Sequence, residues 1–216
     1  MRLAFLLRAV TPVREEGESP GPLAAGTVLE VLVDGKRIAT TSGIVPRSAV
    51  RLAWARPRPE EIGPDERWVH VDTQEQTLTA YEGDRMVFAT LVSTGKKGWE
   101  TPTGVFRVWL KVRHARMHGH RVPYLVEEVP DVLYFGRDVA LHAAVWHRRF
   151  GTAVSHGCVN VSLADGEWLF RWAPPEMPAG WHALNPGQAG LPTLWVVVEG
   201  TRTDVAAAPP SVTSLP

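Results

Sequence analysis

Apolar residues in this chain fall in short runs and alternations rather than at helical spacing, a pattern that predicts strands. Leu3 to Leu7 is one such run, and Val28 to Val33 is another that feeds Asp34-Gly35, a hairpin turn signal. Ile44 to Val50 adds a third short strand. Prolines then punctuate Arg56 to Pro64, and because each biases its predecessor away from helix, the stretch reads as a stiff, extended linker. Beyond it Gln76 to Tyr81 alternates, Val87 to Val92 is almost continuously apolar, and Val105 to Val112 alternates again. One helix is predicted, from Leu163 to about Trp172, with Ser162 as its N-cap, Asp165 in its first turn and Pro174-Pro175 as its stop. Trp195 to Glu199 reads as a closing strand, and the Ala/Pro/Ser-rich Thr201 to Pro216 as a disordered tail. The chain therefore divides into a small β-rich module (1–55), a linker (56–66), a mainly β domain with one notable helix (67–200) and the tail (201–216).

Composition narrows the function classes. With 216 residues and 44% apolar content, the chain can bury one sizeable core plus a smaller one. Its 23 basic and 23 acidic residues balance, which argues against nucleic acid as a partner, since phosphate binding needs concentrated Lys and Arg. No apolar run approaches the roughly 20 residues of a membrane-spanning helix. The opening Met1 to Arg8 is too short in its apolar stretch for a secretion signal and reads as a strand, so no signal peptide is visible.

Cys158 is the only cysteine. A disulfide needs two, and a zinc-thiolate site usually uses more than one, which leaves packing or reactivity. Gly157 before it permits a turn that other residues resist, and places two backbone N–H groups where an oxyanion could be held. A thiol near its ordinary pKa needs a base, and His142 and His156 are at hand.

His142, then twelve intervening residues, then Ser155-His156-Gly157-Cys158-Val159-Asn160 resembles the active-site signature of the L,D-transpeptidases, the YkuD-type domain of bacterial cell-wall enzymes. Trp68 to Asp72, Gln76 to Gly83, Val92-Ser93-Thr94-Gly95, Thr101 to Phe106 and Ala140-Leu141-His142 follow that family's order, over about three-fifths of the chain. The resemblance implies a β-sandwich or sheet fold of that type. It implies Cys158 as nucleophile and His142 as general base, with Gly157 an oxyanion donor beside Cys158 and Ser155 and His156 shaping the loop. Asn160, where many relatives carry Arg, is read as loop support or substrate contact. Tyr134 and Trp146 are candidates for the pocket wall, with core packing as the alternative, and Met117 for a cover over the cleft. His147 lies in a short spacer, Trp146 to Gly151, that resembles a subgroup feature, and is read as a loop or wall residue rather than the base.

The resemblance further implies peptidoglycan stem peptides as substrate, carbapenem-type β-lactams as covalent inhibitors, no cofactor, no metal, and a place in the cell envelope, periplasm or wall. Cysteine attack on an L-to-D peptide bond would release D-alanine. An amine acceptor would give a 3→3 cross-link, water an L,D-carboxypeptidase, and a lipoprotein lysine an anchoring enzyme. A papain-like or NlpC-type peptidase is disfavoured because those place cysteine before histidine; a non-catalytic wall-binding module is the remaining alternative. The N-terminal module loosely resembles bacterial Src-homology-3-like modules, with a β-rich extension of the main domain as the competing reading. His114, His118 and His120 mimic a metal site, but arginines flank them and no carboxylate lies among them, so a solvated loop beside the cleft is expected.

Overall fold

A computed structural model describes residues 1–14, 21–118 and 125–200, so His120 and the predicted tail lie outside the described residues. The N-terminal unit has five strands, β1 (Arg2–Leu6), β2 (Val28–Val33), β3 (Arg37–Thr40), β4 (Gly43–Pro46) and β5 (Val50–Trp54). They form one antiparallel sheet in the order β4-β3-β2-β1-β5. Alternation in β2 turns Leu29 and Val31 inward, where they meet Ala4, Leu6, Ile38, Val45 and Leu52. Ile44 to Val50 is not one strand. Pro46 has no N–H to donate to a ladder and closes β4, and a 3₁₀ turn over Arg47–Ala49 redirects the chain into β5.

The proline-rich linker is fastened down rather than free. Ile62 is fully buried with Trp68, Tyr81 and Val197, and Arg58 pairs with Asp84 at 3.1 Å.

The main unit contains β6 (Arg67–Asp72), β7 (Thr77–Glu82), β8 (Arg85–Leu91), β9 (Gly104–Arg107), β10 (Leu110–His118), β11 (Leu125–Tyr134), β12 (Ala140–Ala143), β13 (Val159–Val161), α1 (Leu163–Trp172), β14 (Ala183–Leu184) and β15 (Trp195–Glu199). Two mixed sheets result, β8-β7-β6-β15-β9 and β13-β12-β11-β10-β14. Alternate residues of the first, Val69, Val71, Leu78, Ala80, Val196 and Val198, share one core with Leu133, Leu141, Val159 and Val161 of the second and with Leu169 and Phe170 of α1. The molecule is mainly β with one helix, as the sequence patterns predict.

Two expectations about strands need correction. Val105 to Val112 is split between sheets: Val108 N–H donates to Leu194 O beside the first sheet, and Trp109 N–H donates to Tyr134 O of the second. The segment around His114 and His118 is not a loop, because β10 runs through it, paired with β11, and both imidazoles stand on its exposed positions. Helix α1 forms where its cap predicts, with Ser162 Oγ accepting from Asp165 N–H at 3.2 Å. Among the described residues no helix is long and apolar enough to cross a membrane.

Candidate active site

Strands β12 and β13 pair in parallel, with His142 opposite Asn160, so the residue just before β13, Cys158, is brought beside the start of β12. The segment after β8 runs along the other side as a rail. Ser93 N–H donates to Asn160 O at 2.8 Å and Asn160 N–H returns to Ser93 O at 2.9 Å, while Ser155 N–H donates to Thr94 O and Lys96 N–H to Ser155 O. Gln76 locks the rail, its amide reaching Thr94 Oγ1 at 2.6 Å and accepting from Thr94 N–H at 2.9 Å. Gly95 has no room for a side chain, since a Cβ there would lie 1.8 Å from Trp99 O.

The loop Ser155 to Cys158 is clamped from within and without. Thr101 Oγ1 donates to Gly157 O at 2.8 Å while accepting from Gly95 N–H at 2.9 Å. Gly157 sits at φ +121°, a region that L side chains rarely adopt. Ser155 Oγ accepts from Gly157 N–H at 3.1 Å and donates to Cys158 O at 2.5 Å. The Gly157 N–H is thus bonded to Ser155, and Gly157 shapes the turn. Cys158 N–H has no acceptor among the described residues.

His142 is 2% exposed, and its Nδ1 donates to Ala143 O at 2.9 Å. That hydrogen bond leaves Nε2 with the basic lone pair. Burial depresses its pKa to about 4, the Ala143 bond opposing and nearby His147 adding to the shift. The Cys158 thiol, half-buried in the apolar cluster of Val112, Val129 and Ala140, is pushed up to about 11, chiefly by burial. A backbone hydrogen bond from Ala140 pulls it down and the Asp138 carboxylate pushes it further up. At neutral pH the pair is thus thiol and imidazole, which suits proton transfer during attack rather than a stored thiolate.

Cys158 and His142 line one cleft of about 350 Å³. The same wall holds Ser155, His156, Asn160, Trp146, His147 and Met117, so the folding chain gathers these sequence candidates in one place. His156 Nε2 lies 3.0 Å from Lys96 Nζ, its ring edge-on to Trp99, and burial followed by the Lys96 charge lowers its pKa. Asn160 is joined to His147 at 2.9 Å and holds that ring, while the Trp146 ring stands 5.7 Å from that of His142. Tyr134 is the exception. It packs in the apolar cluster below, 5.8 Å from Trp109, and does not line the cleft.

Sequence reasoning missed three wall residues, Val126, Asp138 and Val154, and the clamp formed by Thr101, Gln76 and Lys96. Thr101 stands in a motif already noted; Asp138 carries no local signal, since only the turn between β11 and β12 brings it to the cleft.

A model of the L,D-transpeptidase catalytic domain, YkuD, matches residues 66–203. The chain is 21% identical over 203 residues to "Putative L,D-transpeptidase YciB" of Bacillus subtilis strain 168, covering 79% of this chain and 93% of that protein. An L,D-transpeptidase from Mycobacterium smegmatis superposes with TM-score 0.50 at 18% identity, over 74% of this chain and 71% of that one. The LD transpeptidase LdtMt1 in complex with imipenem superposes with TM-score 0.51 at 19% identity, over 79% and 78%. At these identities the structures attest a shared fold.

Proposed function

The chain belongs to the L,D-transpeptidase catalytic-domain family, and from that premise we propose that it is a peptidoglycan L,D-transpeptidase working through Cys158. One observation carries the reading: the chain's only thiol and a buried, neutral imidazole, whose Nδ1 is already committed to Ala143, face the same cleft.

His142 Nε2 takes the Cys158 proton as the sulfur attacks the carbonyl of the L-centre in an L-to-D bond of a stem tetrapeptide. Cys158 N–H is the donor for the developing oxyanion. The C–N bond breaks, His142 returns the proton to the departing D-alanine nitrogen, and a thioester remains. An amine on a neighbouring stem then attacks the thioester, giving a proton to His142; the C–S bond breaks, His142 returns that proton to the Cys158 sulfur, and a 3→3 cross-link forms. Such a substrate places the protein in the cell envelope. Because LdtMt1 is seen with imipenem, carbapenems are expected to acylate Cys158. The N-terminal unit fits a Src-homology-3-like module, given its five antiparallel strands and the 3₁₀ turn before the last.

The test is Cys158→Ala. D-Alanine release from a tetrapeptide stem and the mass of a carbapenem adduct should both vanish while circular dichroism is unchanged. Retention of either activity in the folded variant would remove Cys158 from the mechanism.

A further inference from the structure

The turn that joins β11 to β12 is a tight one, with Phe135 and Gly136 N–H both donating to Val139 O at 3.1 Å. At its tip Asp138 is exposed and reaches the wall of the catalytic cleft. The other polar wall residues are Ser155, Asn160 and three histidines, His142, His147 and His156, whose pKa values are all lowered, chiefly by burial. Among the described residues that line the cleft, Asp138 is the one carboxylate. Among the described residues it forms no ion pair or hydrogen bond. Its charge also works against the nucleophile, because a carboxylate near Cys158 disfavours the thiolate. A residue that breaks a local rule in this way is expected to serve a site, and a bound cation would cancel the handicap.

We propose that Asp138 is the subsite for a primary ammonium group carried on the side chain of the substrate's diamino acid. The inference rests on Cys158 being the acylated nucleophile of a transpeptidase. The ammonium has two sources with the same chemistry: the third residue of the donor stem, or the amine of the acceptor stem. Either would be drawn to the one carboxylate among the described residues of the cleft wall, near the sulfur that holds the acyl group.

The experiment compares stems with a free side-chain amine against the same stems with that amine acetylated, on the full chain and on Asp138→Asn and Asp138→Glu. An exposed ion pair of ordinary strength corresponds to a preference of about threefold to fivefold in kcat/KM for the free amine. Asp138→Asn should erase it, Asp138→Glu should restore part of it, and raised salt should weaken it in the wild type. A preference seen in D-alanine release assigns the donor ammonium. Acetylation removes the acceptor nucleophile itself, so the acceptor is read with free-amine stems alone: a fall in the ratio of cross-linked to hydrolysed product in Asp138→Asn, partly restored in Asp138→Glu, assigns the acceptor. The subsite would be overturned if Asp138→Asn leaves the product ratio of free-amine stems unchanged while D-alanine release in the wild type is equal for free and acetylated donor stems, or shows a preference that Asp138→Asn leaves unchanged. The underlying reading fails separately, if no carbapenem adduct forms on wild-type Cys158. As an independent check, the pH at which iodoacetamide half-maximally alkylates Cys158 should fall in Asp138→Asn, and no change would place the carboxylate too far from the sulfur to act.

Discussion

At the scale of single residues, the chemistry turns on two opposite displacements of pKa. Burial raises the Cys158 thiol to about 11 and lowers His142 to about 4, so the ion pair of thiolate and imidazolium is the unfavoured arrangement at rest. In the proposed mechanism the proton moves as the carbon–sulfur bond forms, and an imidazole that is already neutral with Nδ1 held by Ala143 is fit to take it. The signs give a pH prediction. Alkylation by iodoacetamide, which needs the free thiolate, should climb about tenfold per pH unit above neutrality and level off near pH 11. Turnover by the proposed mechanism, with His142 as base, should fall on the acid side as pH approaches about 4. A plateau of alkylation between pH 5 and 8 would mean a preformed thiolate and would overturn this account. The motif around Cys158 named these residues, but the local bonding was not legible in it. That Ser155 Oγ takes the Gly157 N–H depends on the φ of +121° at Gly157, and that Thr101 holds Gly157 O depends on residues far apart in sequence.

At the scale of elements, helix α1 shows what a sequence pattern reveals and what it hides. Its start was legible because Ser162 and Asp165 meet within one turn, and its end because Pro174 follows. Its anchor was not. Lys111 lies in an alternating stretch as though it faced water, yet it is fully buried, and its Nζ donates to Phe170 O at 3.0 Å, Ala173 O at 2.5 Å and Pro175 O at 2.8 Å. Those carbonyls belong to the end of α1 and the chain just beyond it, where the helix itself offers no donors. Lys111→Met leaves them without that partner and should lower stability by roughly 2 to 4 kcal/mol in a urea titration. The pH dependence carries a further sign. Burial lowers the Lys111 pKa to about 8, against roughly 10.4 in the unfolded chain, so between those values the unfolded state binds more protons. The stability difference between wild type and Lys111→Met should thus grow as pH rises from about 8 to about 10.4. A difference that is flat or shrinks over that window would show that the ammonium is not desolvated as described. The split of Val105 to Val112 between two sheets was hidden for a related reason: alternation reports which face a residue takes, not which sheet it joins.

At the scale of the whole molecule, the N-terminal sheet and the sheets that follow it are not independent neighbours. Leu52 N–H donates to Glu75 Oε2 at 2.9 Å, Thr77 Oγ1 donates to Leu52 O at 3.1 Å, and Arg47 pairs with Glu75, so β5 is fastened to the start of β7. Tyr81 Oη joins the same seam, donating to Trp54 O and accepting from Arg56 N–H. These partners lie more than twenty residues apart, beyond the reach of local patterning. One bond goes further: Arg51 Nε donates to Gly151 O at 3.0 Å, and Leu7 sits so close that a Cβ on Gly151 would approach its Cδ2 to 2.5 Å. Gly151 ends the segment that carries Trp146 and His147 into the cleft, and its other tie is its N–H to Val92 O at 2.8 Å. The N-terminal unit therefore braces one wall of the active site from behind, while the Thr101 and Ser155 clamp on Cys158 stands apart from it. Arg51→Ala separates the two supports. Loss of one ordinary hydrogen bond corresponds to about a fivefold to tenfold rise in amide exchange at Gly151 and its neighbours, read by hydrogen exchange with mass detection. Carbapenem acylation, which depends on the cleft wall, should slow, whereas alkylation of Cys158 by iodoacetamide should keep its rate. If exchange at Gly151 is unchanged, the N-terminal unit is joined to the catalytic unit without bracing it; if alkylation slows equally, the wall and the nucleophile loop are one support rather than two.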